Sequence, residues 1–93
     1  MEISVVIVTY YSECFIAPCI RSLLKQQGVT VEIIVVDNAS QDNTDSILKE
    51  FRDSVYYIKS SQNLGFGRAS NLGCQAARGK WLFLLNPDTE ILD

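Results

Sequence analysis

The stretch KWLFLLNPDTE, Lys80–Glu90, decides how the rest of the chain is interpreted. It contains an unbroken apolar run, Trp81–Leu85, with Gly79 before it and Pro87 after it. A short apolar run of this kind is typical of a strand that is buried on both faces. Because Pro87 cannot donate a ladder hydrogen bond, we expect the strand to end near Asn86.

Acidic residues follow this strand directly. Asp88 and Glu90 stand just beyond its carboxyl end, which is where ligands bind in open parallel sheets. One interpretation of Asp88 is a turn residue, since Asn-Pro-Asp is a common turn composition. The other is a divalent cation site, because Mg²⁺ typically takes only one or two protein carboxylates and completes its shell with water and phosphate oxygens. The residues alone leave both interpretations open.

Upstream of this strand, apolar β-branched runs alternate with segments of helical periodicity. The predicted strands are Ile3–Val8, Val31–Val36, Val55–Ile58 and Trp81–Leu85. The predicted helices run from near Pro18 to before Gly28, from a cap at Ser40 or Asp42 through Ile47, Leu48 and Phe51, and from Gly67 to Arg78. This βαβαβαβ pattern implies parallel strands joined by right-handed crossovers. We therefore predict an α/β fold, a Rossmann-like parallel sheet with helices on both faces and the strand order 3-2-1-4.

That strand order gathers polar residues at one edge of the sheet. Thr9-Tyr10, Asp37-Asn38 and Asp88 follow the carboxyl ends of the first, second and fourth strands, and the topological switch lies between the first and fourth. Asp37 can cap the following helix, or it can accept a hydrogen bond from a ligand N–H. Tyr10 can offer its ring to the same ligand or simply lie at the rim of the sheet.

Composition and motifs exclude several classes of function. The chain has 93 residues, a net charge of −3 and 47% hydrophobic residues, so it fits one globular domain with no nucleic-acid surface. It has no histidine, which excludes Ser-His, Cys-His and histidine-metal chemistry. Gly65-Phe66-Gly67 is not a dinucleotide fingerprint, because it follows the third strand and Ser70 occupies the place of the third glycine.

Two further features indicate a cytoplasmic location. The N-terminus, MEISVVIVTYY, lacks the basic region and cleavage site of a signal peptide, and no apolar run has transmembrane length. The three cysteines, Cys14, Cys19 and Cys74, lack zinc-ligand spacing. We expect them to be reduced thiols.

Five segments in this order resemble a family 2 glycosyltransferase with the GT-A fold, and the resemblance covers all 93 residues. The segments are VVIVTYY, SLLKQQ, VEIIVVDNASQDNT, NLGFGRASNLG and WLFLLNPDTEI. The resemblance implies that residues 1–93 are the nucleotide-sugar-binding half of such a domain. It implies a UDP- or dTDP-sugar donor held through Mg²⁺ or Mn²⁺, and transfer to an acceptor hydroxyl.

The resemblance also implies roles for individual residues. The positions that hold the base are Thr9, Tyr10 and Asp37. The positions that border the ribose and diphosphate include Asn63, Gly65 and Asn71. Asp88 matches the metal-binding residue of an Asp-x-Asp signature whose first acidic position is Asn86 here. This Asn-Pro-Asp version resembles the rhamnosyltransferase-like branch of the family, and Ser70 stands where many relatives carry arginine.

The resemblance places the acceptor half and a carboxylate general base beyond residue 93. The acceptor would be a glycan or a lipid-linked sugar in cell-envelope polysaccharide synthesis, with the full-length enzyme peripheral to the inner face of the membrane. The fourth strand would then be an exposed edge, and we expect a homo-oligomer through it. The alternatives are a non-catalytic nucleotide-sugar-binding remnant and a receiver-like signalling domain. The latter ranks lower because the first strand ends in Thr9-Tyr10 rather than in acidic residues.

Overall fold

A computed structural model of the chain describes residues 2–88, so Glu90 lies outside the described residues. Strands and helices alternate along the chain, as the sequence predicts. The strands are β1 (Ile3–Thr9), β2 (Val31–Asn38), β3 (Tyr56–Ser60) and β4 (Trp81–Leu85). The helices are α1 (Ile16–Leu24), α2 (Thr44–Glu50) and α3 (Phe66–Ala76). Among residues 2–88, no helix is both long enough and apolar enough to cross a bilayer.

The strands form a parallel sheet in the order β3-β2-β1-β4, which confirms the predicted fold and strand order. The register pairs Thr9 of β1 with Asp37 of β2, and Ile7 of β1 with Leu85 of β4. The carboxyl ends of these three strands therefore lie side by side, and the loops that follow them meet at one edge of the sheet.

Alternation of side chains divides the interior into two layers, one on each face of the sheet. On one face, β1 and β2 pack against α1 and α2 through Val5, Ile7, Ile16, Cys19, Ile20, Leu23, Ile33, Val35 and Leu48. On the other face, the strands pack against α3 through Val6, Ile34, Val36 and Ala69. Each large side chain buried in this way stabilises the fold by about 1.5–3 kcal/mol. Adjacent residues of one strand, such as Asp37 and Asn38, consequently belong to opposite layers.

Helix α1 starts near Pro18, as predicted, whereas helix α2 starts later than predicted. Helix α1 begins two residues before Pro18, which the first turn of a helix tolerates because its N–H groups have no intrahelical partner. Helix α2 begins at Thr44, later than a cap at Ser40 or Asp42 would give. Asp42 Oδ1 accepts a hydrogen bond from the Thr44 N–H at 3.0 Å, whereas the Ser40 hydroxyl is used elsewhere.

Strand β4 is not buried on both faces in the described chain, which corrects the prediction. Trp81, Leu82, Phe83 and Leu84 are 62%, 46%, 54% and 53% exposed. The reason is position: β4 is the edge of the sheet, and α3 packs mainly on β1 and β2. An apolar run predicts that a strand is buried, but it does not identify the element that buries it.

A buried polar cluster at the opposite, amino edge fixes the start of β4. Ser4 Oγ donates to Glu32 Oε2 at 2.6 Å and accepts the Gly79 N–H at 2.7 Å. Arg78 donates its backbone N–H and its Nε–H to Glu32, each at 2.9 Å. Burial raises the pKa of Glu32, but the hydrogen bonds from Ser4 and Arg78 and the Arg78 charge outweigh it and leave the pKa below its ordinary value of 4.5.

Candidate nucleotide site

A cleft of about 330 Å³ opens at the carboxyl edge of the sheet. Its wall combines the end of β1, the end of β2, the loop before α3 and the residue pair after β4. The lining residues are Val8, Tyr10, Ser12, Asn38, Asn63, Gly65, Phe66 and Pro87. Since β1 and β4 are neighbours, and the helices that follow β1 and precede β4 lie on opposite faces of the sheet, the cleft lies at the topological switch point, where open α/β sheets bind ligands.

Asn38 holds one wall of this cleft in place. Its Oδ1 accepts the Leu64 N–H at 3.0 Å, and its Nδ2 donates to the Gly65 carbonyl oxygen at 3.3 Å. The Gly65 N–H donates to Asn63 Oδ1 at 2.8 Å, and Gly65 has a φ of +81°, which favours glycine. The sequence predicts Asn38 at this edge but indicates no role for it. Side-chain alternation along β2 is the signal that assigns it to the α3 face.

The β1–α1 loop forms the opposite wall and carries two exposed tyrosines. Tyr10 and Tyr11 are 52% and 48% exposed, and their rings meet edge to face with centroids 4.6 Å apart. Tyr11 has a φ of +52°, a conformation that is uncommon for residues with a side chain. Tyr10 therefore reaches the cleft as predicted, on a loop whose backbone is held in an unusual shape.

Thr9 and Asp37 meet at the carboxyl edge of the sheet, as predicted, but they lie behind the cleft rather than in its wall. Both have no exposed surface. Asp37 Oδ1 accepts hydrogen bonds from the Thr9 and Ser40 hydroxyls, each at 2.7 Å, and Oδ2 accepts the Ser40 N–H at 3.0 Å. The two residues share the α1 and α2 face of the sheet, so Asp37 presents no exposed carboxylate oxygen to a base in this conformation.

Asp88 is exposed and follows Pro87 of the cleft wall. Residues 2–88 contain no group of three or more His, Cys, Asp or Glu side chains that could hold a metal ion by themselves. A single exposed carboxylate beside a ligand cleft nevertheless fits Mg²⁺ or Mn²⁺, provided that a diphosphate supplies further oxygen ligands. The donor set thus suits a cation that arrives with its substrate.

The structure does not bring Asn71 into the cleft. It lines a separate depression of about 280 Å³ on the outer side of α3, together with Leu64, Arg68, Leu72 and Gln75. Ser70, its neighbour, faces the interior: the residue is 6% exposed, and its hydroxyl has no hydrogen-bond partner within the described part of the chain.

A cavity of about 600 Å³ lies at the amino edge, far along the strands from the cleft. It is lined by the start of β2, the start of β3 and Arg78. Its buried carboxylate, Glu32, already accepts hydrogen bonds from Ser4 and Arg78. The polar part of this lining is thus the Glu32–Arg78 pair together with exposed Asp53 and Ser54, and the cavity lies away from the carboxyl ends of the strands.

Comparison with known proteins agrees with the fold. The family profile described as "Glycosyl transferase family 2" matches residues 4–93. Because this match covers nearly the whole chain, the chain belongs to glycosyltransferase family 2.

Its relatives include a succinoglycan biosynthesis protein and a further glycosyltransferase. It is 38% identical to the succinoglycan biosynthesis protein ExoO of Rhizobium meliloti over 91 residues, which are 97% of this chain and 26% of that protein. It is 32% identical to the glycosyltransferase GlyG of Streptococcus pneumoniae over 89 residues, or 92% of this chain and 30% of that protein.

A solved structure with the same fold is that of S. aureus TarS in complex with UDP-GlcNAc. The TM-score is 0.87 at 30% identity, over 95% of this chain and 27% of that one. The chain thus spans between a quarter and a third of the length of these proteins, with values of 26%, 30% and 27%.

Proposed function

We propose that this chain binds a nucleotide-diphosphate sugar and forms the donor-binding part of a glycosyltransferase. The observation that carries the proposal is the cleft at the switch point between β1 and β4, which has an exposed tyrosine on one wall and Pro87, the residue before exposed Asp88, in its lining. Membership of glycosyltransferase family 2 supports it. The TarS complex with UDP-GlcNAc, at 30% identity, favours a uridine or thymidine diphosphate sugar.

In this proposal the base lies against the ring of Tyr10. That ring is half exposed and offers both a flat apolar face and a hydroxyl. Asn63 and Gly65, on the facing wall, border the ribose and diphosphate. Thr9 and Asp37 lie behind the wall and act on the nucleotide indirectly, through the loop that they support. Asn71 does not contact the nucleotide, because it lies in a separate depression.

We assign Asp88 to a divalent cation, Mg²⁺ or Mn²⁺, that is shared with the diphosphate. Such an ion neutralises diphosphate charge, which also stabilises the nucleoside diphosphate as a leaving group. The carboxylate of Asp88 would hold the ion at the rim, and Asn86, in place of a second acid, leaves the protein with one negative charge fewer at this point.

The described cleft supplies the donor side of the reaction only. Transfer to a hydroxyl needs a base that removes the hydroxyl proton, and the lining of the cleft contains neither a carboxylate nor an imidazole. We therefore propose that acceptor activation requires chain beyond these residues, and that the 93 residues alone bind donor without transferring sugar. We propose an acceptor glycan or lipid-linked sugar in cell-envelope polysaccharide synthesis, and the similarity to a succinoglycan biosynthesis protein supports this setting.

Titration calorimetry with UDP, dTDP and GDP tests both parts of the proposal. In Mn²⁺ we expect the uridine and thymidine nucleotides to bind, and EDTA or Asp88→Asn to weaken binding about tenfold or more, because the diphosphate loses its counter-charge. The matched control is Asp53→Asn, an exposed carboxylate at the amino edge of the sheet. Equal affinity in EDTA removes the metal role, and no binding of any nucleotide removes the donor site.

We also propose that the free edge of β4 pairs with a second copy of the chain. The two edges of the sheet differ: β3 carries Lys59, paired with Asp45 at 3.4 Å, whereas β4 carries exposed apolar side chains on both faces. Charged side chains discourage edge pairing and apolar ones favour it. The contrast supports self-association through β4 rather than through β3.

A further inference from the structure

We infer that Ser40 is a positioning residue for the nucleotide: it bridges buried Asp37 and the Tyr11 N–H, and so sets the loop that presents the Tyr10 ring. The inference rests on the proposed function for its effect on binding. Its structural part, the ordering of the β1–α1 loop by Ser40, stands on contacts within the chain.

The bridge is a continuous line of hydrogen bonds across the sheet edge. The Ser40 hydroxyl donates to Asp37 Oδ1 at 2.7 Å and accepts the Tyr11 N–H at 2.8 Å. Thr9 donates to the same carboxylate oxygen at 2.7 Å. Because Ser40 is 8% exposed and Asp37 is fully buried, water cannot readily replace these partners.

The neighbouring N–H groups are held in the same way. The Tyr10 N–H donates to Ser12 Oγ at 3.2 Å, and the Ser12 N–H donates to Thr44 Oγ1 at 3.1 Å. Three consecutive backbone N–H groups of this loop thus donate to hydroxyl oxygens, and two of those hydroxyls come from the segment after β2. The serine and threonine hydroxyls thus accept the backbone N–H hydrogen bonds that carbonyl oxygens accept in a regular helix or strand.

The conformation of the loop explains why such support is needed. Tyr11 adopts a φ of +52°, and Ala39, next to Ser40, adopts +59°; both are disfavoured for residues with a Cβ. Such conformations persist only where surrounding contacts over-determine them. Without the Ser40 acceptor, we expect Tyr11 to relax to negative φ, and the Tyr10 ring, which packs edge to face on Tyr11, to leave the cleft wall.

The chain contains a matched control for this serine. Ser4 also joins a buried carboxylate to a backbone N–H: it donates to Glu32 at 2.6 Å and accepts from Gly79 at 2.7 Å. It lies at the amino edge, away from the cleft. Ser4→Ala and Ser40→Ala therefore remove the same kind of bridge from opposite ends of the sheet.

The test measures thermal stability, UDP affinity in Mn²⁺ and hydrogen exchange of the Tyr11 amide in four variants. We expect Ser4→Ala and Ser40→Ala to lower the Tm by similar amounts. Of these two variants, only Ser40→Ala should weaken UDP binding about fivefold, the equivalent of one neutral hydrogen bond, and speed hydrogen exchange at the Tyr11 amide. Ser40→Thr should keep both near the wild-type values. Thr44→Val, which keeps the side-chain volume, should also weaken UDP binding, because it removes the acceptor of the Ser12 N–H in the same loop.

The outcomes separate the two proposals. If the wild-type chain binds no nucleotide, the proposed function fails, and exchange at Tyr11 still decides whether Ser40 orders the loop. If Ser40→Ala or Thr44→Val binds UDP like the wild type, the positioning role is wrong. It is equally wrong if Ser4→Ala weakens UDP as much as Ser40→Ala, because the effect would then be one of general stability.

Discussion

Glu32 shows at the scale of one residue how this chain tolerates a buried carboxylate. Its two oxygens accept hydrogen bonds from Ser4 Oγ and from the backbone and side chain of Arg78. A buried carboxylate without such partners would be strongly destabilising. Here the partners favour the ionised form and also attach the turn before β4 to β1 and β2, so the ionisation of Glu32 is linked to the position of β4.

The lowered pKa of Glu32 predicts an acid-sensitive fold. In the unfolded chain Glu32 takes up a proton near its ordinary pKa of 4.5, whereas in the folded chain it stays ionised to lower pH. The stabilisation that is present at neutral pH is therefore lost as the pH falls through the folded pKa. We expect the free energy of unfolding, from urea melts between about pH 6 and pH 3, to fall more steeply in the wild type than in Glu32→Gln. Parallel profiles for the two proteins would contradict this linkage.

The residues after the strands show what a sequence can and cannot predict about a site. The ends of β1, β2 and β4 were predictable, and with them the edge where Tyr10 and Asp88 lie. The face of the sheet that each residue serves was not assigned, although alternation along β2 fixes it. Thr9 and Asp37 are register partners and share the face that packs against α1 and α2. Asn38 lies on the α3 face and holds the cleft wall.

At the scale of elements, α3 offers a paired test of close packing on the sheet. A Cβ at Gly73 would overlap Val6 Cγ1, a stiff β-branched side chain, and would meet Val36 Cγ2 at 3.4 Å. A Cβ at Gly67, on the same helix, would meet nothing within 4 Å. The first glycine lets the helix approach β1 and β2, whereas the second has no packing role.

We predict opposite effects from the same substitution at these two glycines. Gly67→Ala should raise the free energy of unfolding by about 0.5–1 kcal/mol, because alanine loses less backbone entropy in a helix. Gly73→Ala should lower it by about 1–3 kcal/mol, because overpacking forces the helix or Val6 to move. Chemical denaturation of both variants measures the difference. A stabilised Gly73→Ala would show that the helix approaches the sheet less closely than described.

The order of the elements was predictable, but the burial of β4 was not. Alternating strands and helices with right-handed crossovers restrict the topology, and the order β3-β2-β1-β4 follows from that restriction. The run Trp81–Leu85 indicated a covered strand. In the described chain β4 is an edge strand. Because the helices pack mainly on β1 and β2, four large apolar side chains of β4 remain exposed.

At the scale of the whole molecule, the exposed edge predicts self-association. Sedimentation velocity should show a dimer or larger species whose fraction grows with concentration. Leu84→Lys should shift it to monomer, because a charge at the paired edge is costly to bury. The control is Leu72→Lys, which changes a leucine that is 36% exposed on α3. A clean monomer at high concentration, or equal effects of the two lysines, would count against pairing through β4.

The central claim for the whole molecule is that a nucleotide binds at the carboxyl edge of the sheet. Amide chemical shifts of the ¹⁵N-labelled chain, titrated with UDP in the presence of Mg²⁺, test it directly. The 330 Å³ cleft and the 600 Å³ cavity lie at opposite ends of the strands, so one spectrum distinguishes them. Tyr10→Ala and Tyr56→Ala, which remove tyrosines that are 52% and 57% exposed, provide the matched pair.

We predict that UDP shifts the amides of Tyr10, Asn38, Gly65 and Phe66. Tyr10→Ala should suppress these shifts, and Tyr56→Ala should leave them intact. Shifts confined to the start of β2 and to Arg78, or no shifts at saturating UDP, would contradict the assignment of this cleft as the donor site.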